Sequence, residues 1–203
     1  NAFSIHPTLG HVTVTSELDA QTHPAYSLHV TAADNGSPVR SRTALLTVNV
    51  VNVNRPAITT APADQAVNED GTLIFSSANN NRILVADDAG TTGEIEVTAS
   101  VEHGTLTLGG AVGISFRIGA DGTAGVRIRG ALAAINTALD GLRYRPDLDF
   151  NGQDVLQVFT DDRGTGGVGG TFTDFDVVML HIKPVIDGAP AVTQDLEIHD
   201  PEN

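Results

Sequence analysis

The stretch Pro146-Asp147-Leu148-Asp149-Phe150-Asn151-Gly152-Gln153-Asp154-Val155-Leu156-Gln157-Val158-Phe159-Thr160-Asp161-Asp162-Arg163-Gly164 predicts the architecture of this chain. Its middle alternates with a period of two, so that Leu156, Val158 and Thr160 share one face of a half-buried β-strand. A pair of aspartates stands at each end of that strand. Because carboxylate oxygens are ligands for hard cations, the stretch indicates a β-sandwich with a candidate cation site at each pole.

The composition is typical of an all-β protein. The 203 residues include 21 glycines and nine prolines, and the periodicity predicts one short helix over residues 131–142, with Leu132, Ile135, Leu139 and Leu142 forming its apolar stripe. No run of about 18 apolar residues predicts a membrane span. The chain opens without a signal peptide, from which we expect a longer precursor upstream.

Charge and residue usage argue against several functional classes. The net charge of −14, from 25 acidic and 11 basic residues, argues against nucleic acid, whose phosphates require a basic surface. The absence of cysteine excludes disulfides and Cys-ligated zinc. The seven histidines show no HxH or HExxH spacing, and there is no Gly-x-Ser-x-Gly elbow, so we expect no enzymatic activity.

Strand and turn signals divide the chain into three parts. Residues 1–56 contain only about four strands, too few to bury an adequate core, which predicts the C-terminal half of a domain. Residues 57–190 predict a complete domain, with residues 55–65 as the linker that runs into its first strand. Residues 191–203 predict a second linker and the first strand of a further domain.

An internal repeat relates the first part to the second. A shift of 128 positions places Ser16–Gly36 on Tyr144–Gly164 without a gap, with five identities in 21 positions. The identical pairs are Asp19 with Asp147, Leu28 with Leu156, Val30 with Val158, Asp34 with Asp162, and Gly36 with Gly164. Repeats of this size usually form linear arrays in which each unit touches only its neighbours.

The residues of both parts resemble known adhesion repeats. The first part is similar to the second half of a cadherin repeat, through Phe3-Ser4-Ile5, Gly10-His11-Val12-Thr13-Val14-Thr15, Leu18-Asp19-Ala20-Gln21, Tyr26 to Pro38, and Asn52-Val53-Asn54-Arg55-Pro56. The complete domain resembles the cadherin-like tandem repeats of giant secreted bacterial adhesins, through Val67 to Leu73, Gly104 to Leu108, Ala134 to Pro146, and Phe150 to Asp154. These resemblances imply Greek-key β-sandwich domains, cadherin-like or immunoglobulin-like, in linear tandem.

The cadherin resemblance also implies calcium between successive domains. The ligands it implies for the first junction are Asp19, Asn54 with Asn52 as its alternative, Asp87 or Asp88, and Asp162 with Asp161 as its alternative. The ligands it implies for the second junction are Glu69, Asp70, Asp147, Asp149 and Asp187. Asp34 would face a junction upstream.

The first junction departs from the family pattern. Asn52 and Val53 stand where acids are usual, Gln21 replaces a glutamate, and Asp87 is directly followed by Asp88. The first junction is therefore expected to be a weak site or an empty one. The second junction keeps its acidic character.

These observations predict a calcium-binding structural and adhesive module of a large extracellular or cell-surface protein. Calcium would stiffen a rod whose partners are neighbouring cadherin-like domains, with a homophilic contact or a host surface ligand as further candidates. The alternative is a β-sandwich that binds a carbohydrate or protein ligand, with calcium incidental. The absence of tryptophan argues against carbohydrate, because few rings are present for stacking.

Overall fold

The computed structural model describes residues 2–87 and 93–186. Its first part consists of two antiparallel hairpins. They are formed by β1 (Phe3–Ile5) with β2 (Val12–Val14), and by β3 (Ala25–Ala33) with β4 (Ser41–Asn49). Leu28 pairs with Leu46 across the second hairpin, and the first part has the four strands predicted for it.

Residues 57–190, predicted as a complete domain and called the complete domain below, contain eleven strands and one helix within the described residues. They are β5 (Ile58–Thr60), β6 (Gln65–Asn68), β7 (Leu73–Phe75), β8 (Leu84–Ala86), β9 (Glu94–Ser100), β10 (Gly104–Thr107), β11 (Ile114–Ile118), β12 (Gly125–Ala131), α1 (Leu132–Leu139), β13 (Leu142–Pro146), β14 (Gly152–Asp161) and β15 (Thr173–Lys183).

These strands form a sandwich around one hydrophobic core. The larger sheet has the order β11-β12-β9-β14-β15-β6, and a three-stranded sheet has the order β10-β13-β7. Only the β15–β6 pair of the larger sheet is parallel. Inner residues of both sheets, such as Leu156 and Val158 from one and Phe75 and Tyr144 from the other, are completely buried in a single cluster. The all-β sandwich prediction is confirmed.

Strand β14 occupies the centre of the larger sheet, between β9 and β15. Leu156, Val158 and Thr160 on its inner face have no exposed surface, whereas Gln157 and Phe159 on its outer face are exposed. Because successive side chains of a strand point to opposite faces, the alternation alone fixes this placement. The predicted strand is confirmed, and it connects the two ends of the domain.

The helix is shorter than predicted. It ends at Leu139, and Leu142 instead begins β13, where it is completely buried and pairs with Phe75. Gly141 adopts φ +102° and donates its N–H to the carbonyl of Phe75. A left-handed residue that gives its N–H to a neighbouring strand cannot continue the helix. The apolar spacing therefore predicted a helix that extends past its actual end at Leu139.

The linker predicted over residues 55–65 is also shorter than expected, because β5 lies within it. Thr59 is buried, its N–H donates to the Asp174 carboxylate at 2.6 Å, and its hydroxyl lies 2.8 Å from that of Thr160. These contacts fix β5 against the larger sheet. No helix within the described residues has the length and apolar character needed to cross a bilayer.

Candidate functional site

One end of the complete domain, where β14 begins and the chain leaves β15, is built around Glu69, which follows β6 and is 5% exposed. We call it the downstream end, because the outgoing segment lies there. Its Oε1 accepts a hydrogen bond from the Val185 N–H at 2.6 Å, and its Oε2 accepts one from Asn151 Nδ2 at 3.1 Å. Val185 lies in the segment that leaves β15, and Asn151 lies in the turn that enters β14. Glu69 therefore joins the outgoing linker to the turn that carries the first aspartate pair.

The other acids predicted for this end are exposed. Asp147 and Asp149 lie in the turn before β14, and Asp70 follows Glu69. Asp149 adopts φ +57°, a left-handed conformation. Its carboxylate is of the type that calcium binds, and Asp149 stands two positions before Asn151, which contacts Glu69. Asp187, predicted to complete the set, lies outside the described residues.

The opposite, upstream end of the complete domain, where β14 ends, brings Asn54 and Asp162 together. Asn54 is 3% exposed and Asp162 has no exposed surface. Asn54 Nδ2 donates to Asp162 Oδ2 at 2.7 Å, although the two residues are 108 positions apart in the chain. This contact joins the end of the first part to the complete domain, and the resemblance had assigned both residues to the same junction.

The remaining predicted ligands of the first junction are engaged elsewhere or lie outside the described residues. The exposed Asp19 accepts hydrogen bonds from the Gln21 N–H at 2.8 Å and the Thr22 hydroxyl at 3.0 Å. These bonds hold the pKa of Asp19 below its usual value. Asp87 is partly buried beyond β8, and Asp88 lies outside the described residues.

Within residues 2–87 and 93–186, no group of three or more His, Asp or Glu side chains converges closely enough to hold a metal ion. Completion of a site at the downstream end would depend on Asp187 and on rearrangement of the exposed turn. Calcium ligation by the predicted residues stays a prediction.

The internal repeat reappears as a shared hydrogen-bonding pattern. Oδ1 of Asp34 accepts the N–H of Gly36 at 3.1 Å and of Arg40 at 2.9 Å. Oδ1 of Asp162 accepts the N–H of Gly164 and of Phe172, both at 2.8 Å. Each aspartate therefore ties its own turn to the start of the next strand, and in Asp34 these bonds lower the pKa.

Asp154 is a buried polar centre that no sequence pattern indicated. Its carboxylate, 2% exposed, accepts N–H bonds from Glu102 at 3.0 Å, His103 at 2.9 Å and Val155 at 2.7 Å, and a hydroxyl bond from Tyr144 at 2.9 Å. Burial alone would raise the pKa of Asp154, but the four hydrogen bonds outweigh it and lower that pKa. Burial and the bond to Asp154 raise the pKa of Tyr144.

The lowered pKa of Asp154 predicts a specific loss of stability in acid. A carboxyl group whose pKa is depressed by folding stabilises the native state above its unfolded pKa of about 3.9. That contribution is lost as the pH falls through the folded value. We expect the difference in unfolding free energy between the wild type and Asp154→Asn to be constant above about pH 5 and to shrink below about pH 4. Urea denaturation across this pH range measures it, and a difference that does not change with pH would contradict the assignment.

The family-model match lies in the first part of the chain. Residues 1–51 match the family model of the cadherin domain. Human protocadherin Fat 4 is 41% identical over 78 residues, which cover 37% of this chain and 2% of that protein. Mouse cadherin-23 is 36% identical over 111 residues, which cover 53% of this chain and 3% of that protein. The chain thus spans a very small share of the curated relatives it matches.

Solved cadherin structures are similar at low sequence identity. Mouse cadherin-23 EC22-24 is 18% identical, with a TM-score of 0.42, over 91% of this chain and 50% of that one. The protocadherin gammaB7 EC3-6 cis-dimer structure is 17% identical, with a TM-score of 0.43, over 90% of this chain and 39% of that one. The cadherin resemblance predicted for the first part is confirmed over residues 1–51. The resemblance of the complete domain to bacterial adhesin repeats stays a prediction.

Proposed function

We propose that this chain, whose first 51 residues match the cadherin domain, is a segment of an extracellular adhesion rod stiffened by calcium at its downstream end. Its partners are neighbouring cadherin-like domains of the same protein. Its role is mechanical: it holds the spacing and direction of the domains on either side, and it performs no catalysis. The carbohydrate-binding alternative is not favoured by any finding.

The observation that carries this proposal is the position of Glu69. Its buried carboxylate contacts both the outgoing segment at Val185 and the turn of the exposed aspartates at Asn151. A cation held by Glu69 with Asp147, Asp149 and Asp187 would therefore link the complete domain to the next one. Calcium would supply the positive charge that offsets repulsion among these carboxylates.

Calcium bound at the downstream end should raise the free energy of unfolding of the chain. A ligand that binds only the folded state contributes about 2.7 kcal/mol at 100 times its Kd. For a chain of this size, that corresponds to a rise in Tm of about 5–10 °C. Thermal unfolding in calcium and in chelator measures the rise, and calorimetric titration counts the ions bound per chain.

The variant Glu69→Gln should lose the calcium-dependent rise, because it removes the charge and keeps the side-chain shape. The pair Asp149→Ala with Asp187→Ala should lose it as well. Asp64→Asn is the matched control, because Asp64 is 66% exposed and its ion pair with His181 is long, at 3.9 Å. A melting curve of the wild type that is the same with and without chelator would exclude the proposal.

A further inference from the structure

The end of the first part lies against a loop of the complete domain. We call residues 52–54 the linker segment and residues 162–170 the docking loop. Val53 forms a parallel bridge with Val168. The Asn54 N–H donates to the Val168 carbonyl at 2.8 Å, and the Val168 N–H donates to the Asn52 carbonyl at 2.9 Å. The linker segment is thus held by main-chain bonds, as in a short strand pair.

Two asparagine side chains extend this contact. The Asn52 amide donates to the carbonyl of Gly166. Asn54 Nδ2 donates to the Gly170 carbonyl at 2.8 Å in addition to Asp162. Because Asn54 and Asp162 are almost completely buried, separating them would remove the hydrogen bond to Oδ2 of Asp162 and those of the Asn54 amide, and buried polar groups that lose their partners are costly.

The orientation of the Asn54 amide determines whether its oxygen is available to bind calcium. The Gly166 N–H donates to Asn54 Oδ1 at 2.9 Å. The backbone donor therefore fixes which end of the amide carries the oxygen, and the NH2 group must face Asp162 and Gly170. A cation placed there would meet N–H groups instead of an amide oxygen. Oδ1 of Asp162 already accepts two backbone N–H bonds within its own loop.

The neighbouring cleft is also unsuited to a divalent cation. It measures about 230 Å³ and is lined by Glu17, Asp19, Gln21, Asn52 and Arg55, among others. The guanidinium of Arg55 offsets the negative charge of the two carboxylates. Among the described residues, the donors offered by Asn54, Asp162 and this cleft do not fit calcium.

Gly167 allows the linker segment to approach the docking loop closely. Its φ is +154°, and a Cβ atom at this position would lie 2.3 Å from the carbonyl oxygen of Asn52. A side chain here would push the linker segment away. The glycine-rich composition of the loop therefore matches its contact with the linker.

We infer that the hydrogen-bonded contact between the linker segment and the docking loop fixes the first junction. This contact orients the two parts of the chain without calcium. The rod would then have one junction fixed by hydrogen bonds and one that depends on the ion. Removal of calcium would loosen only the downstream junction.

A distance measurement across the first junction tests this inference. The chain has no cysteine, so Thr47→Cys on β4 and Gln157→Cys on β14, both exposed, provide a unique pair for spin labels. We expect one narrow distance distribution that is the same in calcium and in EDTA. Asn54→Ala and Gly167→Ala should each lose that narrow distribution under both conditions. Asn49→Ala, the same change at an exposed position upstream, should keep it.

A wild-type distribution that is narrow in calcium and broad in EDTA would overturn the inference. This comparison of calcium with EDTA needs only the labelled wild-type chain, so it remains a valid test even if Asn54→Ala does not fold. An Asn54→Ala distribution as narrow as that of the wild type would overturn it as well. Both labels lie away from Glu69, so failure here is separate from failure of the calcium titration at the downstream end.

Discussion

Asp154→Ala should lower the free energy of unfolding of the complete domain by at least about 3 kcal/mol, because each buried donor left unpaired costs about 1–3 kcal/mol. Three backbone N–H groups and the Tyr144 hydroxyl donate to this carboxylate. Alanine can accept none of these bonds. The change therefore removes hydrogen bonds that connect the turn after β9 and the middle of β13 to the first residues of β14.

Chemical denaturation at neutral pH measures this loss, with EDTA present so that calcium makes no contribution. Asp64→Ala is the control, because it removes the same carboxylate from a position that is 66% exposed, and we expect a change within about 0.5 kcal/mol. Tyr144→Phe removes one donor and leaves the three N–H bonds, so it should cost about 1 kcal/mol. If Asp154→Ala were as stable as Asp64→Ala, the buried carboxylate would not be a structural centre.

The local patterns predicted the strands because their information lies within a few residues. The alternation in β9 and β14 determines which side chains enter the core, and burial follows it. The helix end could not be located in the same way. It depends on Gly141 giving its N–H to β7, a strand more than 60 residues earlier in the chain.

The candidate site, like the fold, could be predicted from the sequence only in part. The repeat predicted that Asp34 and Asp162 occupy equivalent positions, and their matching turn bonds agree with it. The partner of Asp162 could not be derived from periodicity, because Asn54 is 108 positions away. The glycines of residues 164–170 are typical of a hairpin loop, but which segment approaches that loop depends on the path of the whole chain.

Leu156→Ala should destabilise the complete domain by about 2–5 kcal/mol, the usual range for a leucine truncated in a packed core. Leu156 is completely buried on the inner face of β14, and β9 and β15 flank it on either side. Three strands therefore lose contacts at once, and the cavity lies in the strand that connects both ends of the domain.

Leu148→Ala is the matched control for this change, since the same atoms are removed from a side chain that is 81% exposed. Its cost should stay within about 0.5 kcal/mol. Urea denaturation of both variants compares the two positions directly.

Stabilisation by calcium depends on the calcium concentration and the Kd, and not on the core. The gain in unfolding free energy that calcium gives should therefore be the same in Leu156→Ala as in the wild type. A smaller increment would mean that packing under β14 sets the geometry around Glu69, and equal costs for the two leucines would contradict the inner face assigned to this strand.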